Sequence, residues 1–342
     1  MRSPLPELVE LQRLLEEAPQ QLVAQVGHTV ETCGHAFPIH VLSLGNASPD
    51  VPAIAYVGGV HGLERIGSRV LLVFLRGLIN RMKWDPMLNL QLERMRMVFV
   101  PIVNPGGMWQ TTRCTPSGVD LMRNAPIDAE EKVPFMLGGQ RFSARLPWYR
   151  GALGAPLEPE SQVLSDMVAR ELQGRPFSLA LDCHSGFGMR DRIWFPFAHT
   201  AKPFPHLPEI HALKTLFENT YPTHNYVVEP QSRQYMAHGD LWDFFYEQAR
   251  QAAPGRVFLP LTLEMGSWRW VRKNPWQLFS RQGLFNPKPG HRLSRILRRH
   301  LVWLDFLARA TCGYEHWVPH GRDRLRHKKE ALGLWYGWRH HG

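Results

Sequence analysis

Four apolar runs constrain this chain more than any other feature: AIAYVGG (53–59), MRMVFVPIVNPGG (95–107), FSLALDCHSG (177–186) and VFLPLTLEMGSW (257–268). Runs that do not alternate with polar residues belong to strands covered on both faces, and such strands are usually parallel and joined by helices. The joining segments fit. SRVLLVFLRGLINRM (68–82) carries one strongly apolar helical face, and EPESQVLSDMVARELQG (158–174) has Pro159 near its start and Gly174 at its end. Residues 6–25, 211–221, 240–250 and 292–310 also read as helices, and FPIHVLSLG (37–45) alternates as a strand does. The alternation predicts an α/β fold with parallel neighbours.

With 44% apolar residues in 342, the chain can bury a substantial core. There is no internal repeat and no linker before about residue 315. One domain over 1–314 is expected, followed by a basic aromatic tail over 315–342. Residues 126–157 are rich in Pro and Gly without periodicity, and so long an irregular segment is usually functional. The start, MRSPLPELVELQRLLEEAPQQL, lacks the apolar stretch of a secretion signal, and no window approaches a membrane span. A cytoplasmic location is expected, with no membrane partner. Cys33, Cys114, Cys183 and Cys312 form no CxxC pair and read as reduced thiols. The net charge of +10 is concentrated late, in RLSRILRRH (292–300) and GRDRLRHKK (321–329). A solvated face accounts for it, and nucleic acid is not expected as the main partner.

Three of the apolar runs end in polar residues able to do chemistry. The first leads to His61 and Glu64, the third to His184 and the fourth to Glu264. Ligands gather outside the carboxyl ends of strands in open α/β sheets, so these ends are expected to be neighbours. His61, Glu64 and His184 make a His₂Glu set, a known catalytic zinc arrangement that leaves a fourth position for water. Glu264 is then the carboxylate free to take a proton from that water. Each residue has a plainer reading by itself: HxxE spacings arise by chance, His184 could be a loop histidine, and Glu264 could be an ion-pair residue. Asp182 could orient a ligand or simply end its strand. The other histidines, His211 among them, read as structural or surface residues, and those from His316 onward belong to the tail.

GGVHGLE resembles the HxxE zinc motif of the carboxypeptidase A/B-type metallopeptidases, bacterial members included. VNPGG (103–107), TTRC (111–114), GVDLMRNAP (118–126), YRGALGAPLEPES (149–161), DCHSG (182–186), YMAHGDLWDFFY (235–246) and TLEMG (262–266) are similar to that family's further motifs, in family order. The resemblance implies a mixed, mostly parallel central sheet with helices on both faces, of the phosphorylase/hydrolase-like kind. It implies one zinc ion on His61, Glu64 and His184, with Glu264 as general base and then acid. Arg113 would stabilise the oxyanion, Arg123 with Asn124 beside it would hold the substrate's terminal carboxylate, and Tyr246 would close over the substrate. Met122 stands where the family usually has Asn, which removes a hydrogen-bond donor from the carboxylate site. His238 and Asp240 lie near the lid stretch and could contact substrate.

Three functions follow from this reading. The first is a zinc hydrolase cleaving a peptide or amide bond next to a free carboxylate. The second is an amidase acting on N-acyl amino acids, as in the aspartoacylase group. The third is a catalytically silent binding protein on the same fold.

Overall fold

The computed structural model describes residues 5–280, 282–288 and 290–337. Eight strands form one sheet: β1 (Val23–Thr32), β2 (His35–Gly45), β3 (Ala53–Gly58), β4 (Arg96–Val100), β5 (Phe177–Ser185), β6 (Arg192–Phe195), β7 (Val227–Pro230) and β8 (Val257–Met265). Their spatial order is β1-β2-β4-β3-β5-β8-β6-β7. The centre, β4-β3-β5-β8, is parallel throughout. β1 and β2 add antiparallel on one side, and β6 pairs antiparallel with β8 on the other. The sheet is therefore mixed and mostly parallel at its core. Every residue of β3 and β5 is buried, as their unbroken apolar sequences require.

The helices are α1 (Pro6–Glu16), α2 (Arg65–Arg81), α3 (Pro86–Glu93), α4 (Pro105–Gln110), α5 (Pro159–Glu171), α6 (Leu207–Thr220), α7 (Leu241–Ala252), α8 (Trp268–Lys273), α9 (His291–Cys312) and α10 (Gly321–Tyr336). α2 and α9 pack on each other and on β3 and β5, whereas α5 and α7 form a layer against β2 and β8, so both faces are covered. α2 shows why its sequence belongs there. Ile66, Val70, Leu71, Phe74, Leu75 and Leu78 recur at helical spacing and are all buried. Gly67 lets the helix start close against β5, because a Cβ there would collide with the Cys183 carbonyl.

Some elements depart from the sequence reading. The helix expected over 6–25 stops at Glu16, and residues from Val23 form β1 instead. β1 is an edge strand with almost every side chain exposed, so it carries no apolar pattern to announce it. The four-residue strands β6 and β7 are too short to register as periodicity. The stretch from 315, expected as a tail, contains α10, which docks on α6 and β7 through buried His327, Ala331, Leu332 and Trp335. Trp335 Nε1 donates to the Val228 carbonyl of β7 at 2.8 Å. Residues 338–342 of that expected tail lie outside the described residues. Among the described residues no helix is long and apolar enough to cross a membrane.

Candidate metal centre and cleft

β3, β5 and β8 end side by side, and their register fixes the centre. His184 on β5 lies directly opposite Glu264 on β8, and Gly58 at the end of β3 lies opposite Cys183. The loop from β3 then delivers His61, and Glu64 sits at the N-cap position of α2. Ligand atoms of His61, Glu64 and His184 all lie within 4.8 Å of one another, and all three residues are buried. The imidazoles meet edge to face with centroids 5.0 Å apart. His61 Nδ1 is buried without a hydrogen-bond partner. A buried imidazole with an orphaned nitrogen, clustered with a second imidazole and a carboxylate, is the donor set a zinc ion requires, so these residues fit the ion the sequence implies.

Each donor is oriented from behind. His184 Nε2 lies 2.7 Å from Asp182 Oδ2, which also accepts from Trp242 Nε1 at 2.8 Å. That leaves His184 Nδ1 toward Glu64, whose Oε2 is 3.2 Å away and also accepts from Ser185 N–H at 2.8 Å. Burial works against charge on His184, but Asp182 and Glu64 outweigh it and hold the imidazole well above its usual pKa. His61 goes the other way: burial, then the Arg113 charge, keeps it well below its usual value. Burial also opposes ionisation of Glu64, yet His61, His184 and Arg113 hold its carboxyl below the usual range.

A cleft of about 440 Å³ opens over this centre. Glu264 lines it and accepts from Phe187 N–H at 2.9 Å. Burial, then the nearby Glu64 carboxylate, pushes Glu264 up to about 8. Arg113 also lines it, with Nε on Asp120 at 2.8 Å and Nη1 on Glu64 at 3.2 Å. Burial disfavours its charge, but Asp120 and Glu64 more than compensate, so the guanidinium stays cationic. Arg123 is almost fully buried at the cleft wall. Its donors go to the carbonyls of Leu137 and Met122, and among the described residues it forms no ion pair. Met122 lines the cleft beside it. The segment 126–157 supplies Leu137 and Trp148 to the wall, Trp148 with φ of 59°.

Four of the expected residues lie elsewhere. Tyr246 is wholly buried on α7, its ring against Phe197 and Phe204 and its hydroxyl 3.1 Å from His206 Nδ1, so it cannot close over a ligand. The tyrosine at the cleft is Tyr235, whose ring lies 5.8 Å from the Arg123 guanidinium. Asn124 is a fastener: it donates to the Arg150 carbonyl and accepts from Glu158 N–H at 2.7 Å. His238 accepts from Ala129 N–H, and Asp240 caps α7. Neither lines the cleft.

Two residues escaped the sequence reading. Asp120 holds Arg113 and sits with Oδ1 3.8 Å from His61 Nδ1. Its signal was present in GVDLMRN, where the acid precedes the arginine. Asn286 accepts from Ile66 N–H at 3.0 Å and donates to the Leu63 carbonyl at 2.7 Å, fixing the turn that carries Glu64. Nothing local to Asn286 predicts a contact across more than two hundred residues.

A family model described as zinc carboxypeptidase matches residues 8–269. Rat carboxypeptidase A1 is 26% identical over 223 residues, which cover 61% of this chain and 50% of the relative. Carboxypeptidase SOL1 of Arabidopsis thaliana is 30% identical over 95 residues, 27% of this chain and 19% of the relative. The chain thus spans half or less of these curated relatives. Among solved structures, bovine thrombin-activatable fibrinolysis inhibitor in complex with tick carboxypeptidase inhibitor has a similar fold. Its TM-score is 0.66 at 18% identity, covering 92% of this chain and 98% of that one.

Proposed function

The chain belongs to the zinc carboxypeptidase family, and from that premise we propose that it is a zinc metallopeptidase removing a residue that bears a free α-carboxylate. One observation carries the proposal: the His61–Glu64–His184 donor set shares a cleft with a free acid, Glu264, and with two cationic guanidinium groups. When bound, a single zinc ion supplies Lewis acidity at the floor of the cleft. Arg123 would receive the substrate carboxylate, since among the described residues its buried charge has no anionic partner and its hydrogen bonds go to carbonyls. Arg113, immobilised by Asp120, would meet the developing oxyanion with no reorganisation at the moment of reaction. Glu264 takes a proton from the attacking water and passes it to the leaving amine, a role its raised pKa suits near neutral pH. Tyr235, not Tyr246, is the aromatic that would shield the bound substrate from solvent.

The walls favour an apolar or aromatic leaving residue: Trp148, Phe187, Trp194 and Trp268 surround the polar floor, and Met122 replaces a donor with a thioether. A cytoplasmic setting belongs to the same proposal, supported by the exposed free thiol of Cys33.

The test is a matched set of substrates given to zinc-loaded protein: N-blocked dipeptides ending in Phe or Leu, their C-terminal amides, and N-acyl amino acids. Cleavage of the free acids only, lost in Glu264→Gln with zinc retained, is the expected result. Equal cleavage of the amides would remove Arg123 from its role, turnover of acyl-amino acids alone would favour the amidase, and no turnover with zinc bound would favour the silent binder.

A further inference from the structure

A second group of metal-ligating side chains lies on elements that contribute nothing to the cleft. His211 is on α6, and His327 and Glu330 are three residues apart on α10, which places them on one helix face. His211 Nδ1 is 2.8 Å from His327 Nδ1 and 3.8 Å from Glu330 Oε2, and the three donor atoms lie within 4.8 Å of one another. We propose that this seam is a second zinc site, structural in character, that fastens α10 to α6.

The donor chemistry selects the ion. Two imidazoles and one carboxylate suit zinc better than calcium or magnesium, and three protein ligands leave one position for water. Tetrahedral bonds of about 2.0–2.1 Å hold donors roughly 3.4 Å apart. The two imidazole nitrogens would open slightly and the carboxylate would close slightly, which are side-chain adjustments. Two Nδ1 atoms facing each other share at most one proton.

The groups around the cluster also fit. With Nδ1 on a metal, His327 must carry its proton on Nε2, and Asp323 Oδ2, one helical turn earlier and 3.7 Å from that atom, would accept it after a small side-chain rotation. Arg326 Nη2 donates to the same Nε2 at 3.0 Å, a contact that must give way once that atom is protonated, and Arg326 Nη1 pairs with Glu330 at 3.2 Å. Arg326 is exposed and already donates to Asp323 Oδ1 at 2.6 Å, so it retains a partner when Nε2 takes up its proton and Glu330 turns to zinc.

The inference does not depend on the peptidase reading, because its readout is a difference in zinc content on residues outside the cleft. Full-length wild type, His211→Asn and His327→Gln are loaded with zinc, freed of excess and assayed for metal per chain. Each variant is expected to hold one zinc equivalent fewer than wild type while peptide hydrolysis is unchanged. Glu330→Gln, at an exposed position that folding tolerates, should show the same loss. Asp323→Asn should keep the equivalent but yield it to chelator at 10–100-fold lower competitor concentration. Hydrogen exchange in α10 should slow on zinc addition to wild type and not to the variants. Equal zinc content in wild type and all three ligand variants overturns the proposal, whether or not the cleft proves catalytic.

Discussion

The floor and the rim of the cleft are built differently. The floor hangs on the ends of three buried parallel strands, where β5–β8 register alone sets His184 opposite Glu264. The rim is made of loops: 126–157 supplies Trp148, the approach to α7 supplies Tyr235, and the segment after β8 supplies Trp268 and Phe285. Strand ends inherit positions from the core, whereas loop residues are placed by contacts with distant parts of the chain. Chemistry on the floor should therefore respond to single changes in an all-or-none way, and binding at the rim in graded steps.

The largest expected effect probes the floor. Arg113→Ala should lower kcat by about 10²–10³, equivalent to about 2.7–4 kcal/mol, as loss of a fixed oxyanion donor does elsewhere. Because Arg113 also touches Glu64 and Asp120, zinc content must be measured alongside. Full zinc with reduced kcat supports an oxyanion role, whereas lost zinc would make Arg113 a support for the ligands.

This contrast also explains what the sequence could reveal. His61, His184 and Glu264 were legible because each follows an unbroken apolar run, and burial on both faces leaves such runs few conformations. Tyr246 was misread for a physical reason. On α7 it shares a face with Trp242 and Phe245, the stripe that buries against the sheet, so helical phase sends it inward. Tyr235, eleven residues earlier in irregular chain, had no periodicity to mark it. β1 and α10 were missed because edge strands and cation-rich helices show weak apolar patterns, and Asn286 because its partners are remote in sequence.

A smaller effect should appear where rim meets core. Asp240 caps α7 just after the segment bearing Tyr235, and its Oδ2 is buried without a partner. Burial, then the neighbouring Asp243, pushes its carboxyl up to about 7 from the ordinary 3.8. Its folded-state value is the higher one, so the folded protein binds more protons than the unfolded chain between those limits. The associated stability is complete below about pH 4 and is lost as pH rises through about 7. Asp240→Asn keeps the cap and removes the ionisation. It should raise stability on the order of 2 kcal/mol at pH 8 and leave it nearly unchanged at pH 4, by denaturant titration at both values. A gain independent of pH would locate the effect in packing.

The smallest effect separates the two tyrosines. Tyr235→Ala should raise KM for a free-acid dipeptide about tenfold, roughly 1.4 kcal/mol, with kcat and melting temperature little changed, because the ring borders the cleft beside Arg123. Tyr246→Phe should do the reverse. It removes only the hydroxyl contact to His206, at a cost of about 1 kcal/mol in stability, and leaves KM alone. If Tyr246→Phe altered KM while Tyr235→Ala did not, substrate would have to reach the core side of α7. The cleft drawn by β3, β5 and β8 would then be the wrong one.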